Sequence, residues 1–181
     1  MWRRALACLA AGLLAGGPCG ADPAPPSEYQ VKAVFLYNFS HFVSWPPSAF
    51  SGSDAPLVIA VIGKDPFGAN LDAVVQGERV GTRALAVRRY RDIGDIRDCQ
   101  ILFIGRSEAG RLADIVRASR GHNILTVSDI DGATAKGVMI GLVNQDDHIR
   151  MQINIGAARA EGLTLSSKLL RPAEIVSSVP G

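Results

Sequence analysis

The chain has 181 residues, 48% of them hydrophobic, which is enough for a domain with a real core and leaves no long polar tract of the disordered kind. Its 19 basic residues stand against 17 acidic ones, so no charge excess marks a general nucleic-acid surface. In chain order, the first stretch, "MWRRALACLAAGLLAGGPCGADPAPP", has the form of an export signal. Arg3 and Arg4 make a charged start, Ala5 to Ala15 an apolar run, and Ala21 a small-residue cleavage site. The apolar run is too short, and too soon followed by Gly and Pro, for a membrane span. Residues 1–21 are therefore predicted to be a signal peptide and 22–27 a Pro-rich extended leader. Residues 28–181 then form one α/β domain. Cleavage removes two arginines and leaves 17 basic against 17 acidic residues, so the pI of 8.6 overstates the basicity of the exported chain. It also removes Cys8 and Cys19. Cys99 remains unpaired, with no internal disulfide expected. It precedes the apolar run "ILFI", which suits a buried, inert thiol.

From Glu28 the pattern is helical. Val31, Val34, Phe35, Asn38, Phe39 and Phe42 fall at helical spacing, and "SWPP" stops the helix. "LVIAVIG" is a short β-branched run suited to a parallel strand covered on both faces. Residues 67–75 predict a short helix and 79–90 a strand. The strand "QILFI" and the helix "SEAGRLADIVRAS" follow, then the strands "HNILTVS" and "GVMIGLV". "HIRMQINI" alternates, with Ile149, Met151, Ile153 and Ile155 on one side and Arg150, Gln152 and Asn154 on the other. Only "NQDD" separates it from "GVMIGLV", which predicts an antiparallel hairpin. A helix from about Ala157 and a last helix in "SSKLLRPAEIV" close the chain. The sum is a three-layer α/β sandwich, with a mixed, mostly parallel sheet flanked by helices and one antiparallel hairpin near the C-terminus.

"FIGRSEAG" places Ser107 between a strand and a helix, as in a hydrolase nucleophile elbow, but its G-x-S-x-x-G spacing is one residue too long. A serine nucleophile also needs a histidine base. His122 precedes a strand and His148 falls in the hairpin, so neither sits at a strand's carboxyl end. Ser107 reads better as a helix N-cap, with Glu108 in the first turn, and the chain is expected not to be an enzyme. No Cys/His cluster has zinc spacing and no G-x-G-x-x-G follows a strand, so neither a metal nor another cofactor is expected. Polar residues at several strand ends (Lys64 and Asp65, Arg106 to Glu108, Ser128 and Asp129) allow a small-ligand crevice of the kind open α/β sheets form there. Turn and cap chemistry accounts for the same residues.

The phrases "EYQVKAVFLYNFSHFVSWP", "IAVIGKDPFG", "CQILFIGRSEAGRL", "ILTVSDIDG", "GVMIGLV" and "INIGAARAEGLTLSSKLLRPAEIV" together resemble the YfiR-like family of small periplasmic proteins, from about Glu28 to Val176. The resemblance implies a non-enzymatic periplasmic regulator that tends to dimerise. Its partner would be the periplasmic sensor domain of an inner-membrane diguanylate cyclase of the YfiN type, whose GGDEF catalytic domain makes cyclic di-GMP in the cytoplasm. Release would raise cyclic di-GMP and favour biofilm. Relatives carry further cysteines whose disulfides support redox control. Here Cys99 matches one such position without a partner in the exported chain, so only an intermolecular bridge is open to it.

A partner surface should be partly apolar with exposed side chains on ordered elements. The last helix, with Leu169, Leu170, Ile175 and Val176, and the outer face of "HIRMQINI" are candidates. So is the stretch holding Asn154, Ser166, Ser167 and Lys168, although capping explains the serines equally. A small-ligand-binding module serving another membrane receptor, such as a sensor kinase, is the alternative reading.

Overall fold

The structure, a computed structural model, describes residues 26–146 and 148–177. The expected signal peptide and most of the leader lie outside the described residues. Among these, no helix is long and apolar enough to cross a membrane.

Helix α1 (Glu28–Phe42) opens on a capping box. Ser27 Oγ accepts from the Gln30 N–H at 3.3 Å, and Gln30 Oε1 accepts from the Ser27 N–H at 2.7 Å. Its buried face carries Lys32, Ala33, Leu36, Phe39 and Ser40. This differs from the predicted stripe, of which Val34 is 45% exposed. The helix is turned by about one residue, because Lys32 takes an inward place that its type disguises.

Strand β1 (Val43–Ser44) pairs antiparallel with β9 (Thr164–Leu165) in a small separate sheet. The main sheet has eight strands. Within it β2 (Leu57–Ile62) is flanked in parallel by β4 (Arg83–Tyr90) and β5 (Ile101–Ile104). Parallel β6 (Leu125–Ser128) and β7 (Ile140–Gln145) continue outward from β5. Then come antiparallel β8 (His148–Ile153) and a two-residue parallel edge, β10 (Glu174–Ile175). Two-residue β3 (Arg79–Val80) covers β4 at the opposite edge. The five parallel strands run β4-β2-β5-β6-β7, the 2-1-3-4-5 order of a doubly wound sheet.

Alternate residues of each central strand enter opposite cores. Leu57, Ile59, Val61, Ile101, Phe103, Leu125 and Val127 face α1, α2 (Ala69–Val75), α4 (Ile155–Ala160) and α5 (Ser167–Leu170). Val58, Ala60, Ile62, Leu102 and Ile104 face α3 (Leu112–Ser119). Every residue of β2 is buried, as its unbroken apolar run requires. The expected sandwich, its mixed sheet and the β7–β8 hairpin are all present.

Three expected elements differ. Residues 79–90 make two strands, β3 and β4, because Gly81 turns the chain at φ 58°. The helix expected from Ser107 begins as a 3-10 helix at Arg106–Arg111 and becomes α-helical only at Leu112. The last helix stops at Leu170, since Pro172 lacks the N–H to continue it, and "EI" joins the sheet as β10. That leaves Leu169 in the core and Ile175 51% exposed.

Gly63, at φ 94°, turns the chain out of β2. A β-carbon there would lie 2.5 Å from Ser107 Oγ and 2.7 Å from Glu108 Cγ. Gly63→Ala should therefore cost about 2–3 kcal/mol in urea unfolding, from strain and overpacking together. Gly81→Ala, with a similar φ but open space around it, should cost only about 1 kcal/mol.

Candidate functional site

In doubly wound sheets the crevice for ligands opens at the carboxyl ends of the strands, where the winding reverses. Here that point lies between β2 and β5, and the protein's own side chains fill it. Ser107 Oγ accepts from the Lys64 N–H at 2.9 Å, and its hydroxyl donates to Glu108 Oε1 at 3.2 Å. Glu108, 7% exposed, is held by both Nε (2.9 Å) and Nη2 (2.5 Å) of Arg111. Ser107 is thus not the expected N-cap. Gly105 holds that position, without a side-chain bond, and the Ser107 hydroxyl ties the β2 exit to the β5 exit. Among the described residues no histidine bonds to Ser107.

Beside this closed crevice, four charges meet where β5 and β6 end. Asp129 directly follows β6 and is 1% exposed. Lys32 reaches it from α1, fully buried, with Nζ 2.9 Å from Asp129 Oδ2. The same ammonium pairs with Glu28, one helical turn earlier. Arg106, half-exposed at the end of β5, spans both acids. Its Nη2 lies 3.2 Å from Glu28 Oε1, and its Nε donates to the Asp129 carbonyl at 3.3 Å. Tyr29 donates its hydroxyl to Asp129 Oδ2 at 2.9 Å, and Asn144 donates to Glu28 Oε2 at 3.4 Å. Two cations and two carboxylates balance, which is what makes such deep burial tolerable. Asp129 Oδ1 is buried without a partner among the described residues. Ser128, fully buried, donates to the Ile104 carbonyl at 2.8 Å and accepts from the Ile130 N–H at 3.1 Å, stapling β6 to β5.

The electrostatics follow the packing. Burial raises the Glu28 carboxyl, but the hydrogen bond and charge of Lys32, with Asn144 and Arg106, outweigh it and hold Glu28 below its ordinary value. Burial, then the Asp129 carboxylate, push the Tyr29 hydroxyl up to about 12.

Of the residues singled out in the sequence, Arg106, Ser107, Glu108, Ser128 and Asp129 gather at this carboxyl edge. Asn154, Ser166, Ser167 and Lys168 do not join them. Asn154 caps α4 by accepting from the Ala157 N–H at 3.0 Å, and donates to the Thr134 carbonyl at 3.2 Å. Ser166 caps α5, and Ser167 and Lys168 are exposed in its first turn. Cys99 is 2% exposed, and burial pushes its thiol up to about 12. The sequence reading missed Glu28, Tyr29, Lys32 and Asn144. The available signal was Lys32 itself, a lone cation between apolar Val31 and Ala33 with Glu28 four residues before it.

Lys32→Met should cost about 3–5 kcal/mol, because it strands the buried Asp129 charge. Adding Asp129→Leu should recover much of that loss in the same urea titration, since an apolar pair leaves no charge unpaired. The lowered carboxyl of Glu28 favours the fold above its unfolded-state pKa. That contribution disappears as pH falls through the lower folded value. Acid unfolding followed by circular dichroism should therefore shift less steeply with pH in Glu28→Gln than in the parent below the ordinary carboxylate range.

The profile of the YfiR/HmsC-like family matches residues 29–174. The matched span begins at Tyr29 within the charge cluster, takes in every strand of the main sheet, and ends at the first residue of the β10 edge. The sheet, the buried cluster and the filled crevice are thus features of a chain that belongs to the YfiR/HmsC-like family.

Proposed function

We propose that the protein is a periplasmic regulator that binds the periplasmic sensor domain of an inner-membrane diguanylate cyclase and restrains cyclic di-GMP synthesis. The observation that supports this most is the family match across residues 29–174. The export signal expected at residues 1–21 accords with it. So does the filled crevice, because a chain whose strand ends are occupied by its own side chains acts more readily through its surface.

The mechanism is differential affinity. A protein outside the membrane changes catalysis on the far side only by preferring one of the receptor's conformations. The proposed contact surface is the C-terminal rim. There Ile175 on β10 is 51% exposed beside Val176, and Lys168 stands exposed on α5. An apolar contact with a nearby charge fits the core-and-rim composition of protein interfaces. In this reading the protein acts as a homodimer, as its family resemblance implies.

Deleting the gene should raise cyclic di-GMP in the native host, and the exported protein should restore it, while a version lacking residues 1–21 should not. Lys168→Glu should weaken the purified complex by about five- to tenfold, since it reverses an exposed rim charge without emptying the core. Unchanged cyclic di-GMP in the deletion strain, with the receptor expressed, removes the cyclase from the reading.

A further inference from the structure

A second concavity lies on the α3 face of the sheet, toward its amino edge and away from the charge cluster. It measures about 280 Å³ and is bounded by Arg88 of β4, by Arg97, Asp98 and Gln100, and by the loops at residues 48–56 and 121–123. We infer that this cleft binds a small oxyanion, the carboxylate or phosphate group of a small molecule.

The walls are tied together. Gln100, 5% exposed, donates its amide N–H to the Ala49 carbonyl at 2.6 Å and accepts from the Val58 N–H at 2.8 Å. Its main-chain carbonyl accepts from Trp45 Nε1 at 3.1 Å and from the Leu125 N–H at 2.8 Å. One buried residue thus ties these segments together, the side chain holding Ala49 and Val58 and the main chain holding Trp45 and Leu125. Ser48 Oγ donates to Asn123 Oδ1 at 3.2 Å and joins the two loops.

The charged groups facing this frame lack carboxylate partners. Arg89, Arg106, Arg111 and Arg117 each pair with an acid elsewhere in the protein. The Arg97 side chain has no ion pair or hydrogen bond among the described residues, and the Arg88 guanidinium, which donates to the Asp98 carbonyl at 3.3 Å, has no ion pair among them. The Asp98 carboxylate also borders the cleft but lies beyond ion-pair distance of both arginines. His122 adds an imidazole to the rim. Two guanidinium forks over a fixed polar floor supply the donors that a planar or tetrahedral oxyanion takes in pairs. The volume suits a small molecule rather than a chain.

The test is calorimetric titration of the exported protein with inorganic phosphate and with malonate, at constant ionic strength. Saturable binding of one or both is expected. Phosphate alone points to a phosphorylated ligand, and malonate alone to a carboxylate. Arg97→Ala and Arg88→Ala should each weaken binding by about tenfold or more, the loss of a charge-assisted hydrogen bond. Thermal unfolding of Arg97→Ala without ligand should match the parent, because the side chain holds no other group, so that lost binding is not lost folding. Absence of saturable heat with both anions overturns the assignment. So does undiminished binding by the Arg88→Ala, Arg97→Ala double variant.

Discussion

The rest of the structure turns on one contact, the buried pairing of Lys32 with Asp129. Either ion alone would cost several kcal/mol to remove from water. Together, with Glu28 and Tyr29 bonded to them and Arg106 beside both acids, they can sit under a helix. The pairing fixes the rotation of α1 about its own axis. With Lys32 inward, Ala33, Leu36 and Phe39 fall against the sheet, and Val34 is turned outward. It also fixes where α1 begins along the sheet, because Asp129 marks the end of β6 and Arg106 the end of β5. The hydrophobic faces of helix and sheet would tolerate several registers, whereas a buried charge pair tolerates one.

The two ends of the sheet have opposite characters. At the carboxyl end, where a doubly wound sheet usually keeps its ligand crevice, Ser107 and Glu108 close the gap and the Lys32 network seals the neighbouring strand ends. At the amino end the loops, tied through Gln100 and the Ser48–Asn123 bond, frame an open cleft bordered by Arg88 and Arg97. The fold keeps its doubly wound frame while moving its open concavity to the unaccustomed side. The cleft, beside β2 and β4, also lies across the sheet from the β10 edge proposed for a protein partner, so the two can be occupied at once.

The layers, the mostly parallel sheet and the hairpin were legible because each rests on local pattern. "LVIAVI", short and β-branched, suits a strand covered twice, and "HIRMQI" alternates as a half-covered one must. What escaped depends on distance along the chain. Lys32 looks like a solvent-facing residue until Asp129, 97 positions away, is brought beside it. Ser107 looks like a cap because serine before a helix usually is one. Its actual partner, the Lys64 N–H, belongs to a turn 43 residues earlier. The final helix was over-read for a local reason, since "LLRPAEIV" carries helical apolar spacing through a proline that forbids it. At the carboxyl edge the strand-end residues were therefore found, while the α1 half of the cluster was hidden in an apolar run.

The span between Lys32 and Asp129 also orders the assembly of the molecule in time. The helix is the earliest described element to be made, yet the acid it needs directly follows β6, a strand made after half of the main sheet. Until β5 and β6 lie side by side, an inward Lys32 has no counter-charge, and burying it gains nothing. The helix must wait in water with its ammonium hydrated, and dock once a largely built sheet offers Asp129. Its docking then belongs to the late side of the folding barrier, where a contact governs how slowly the native state comes apart more than how quickly it forms.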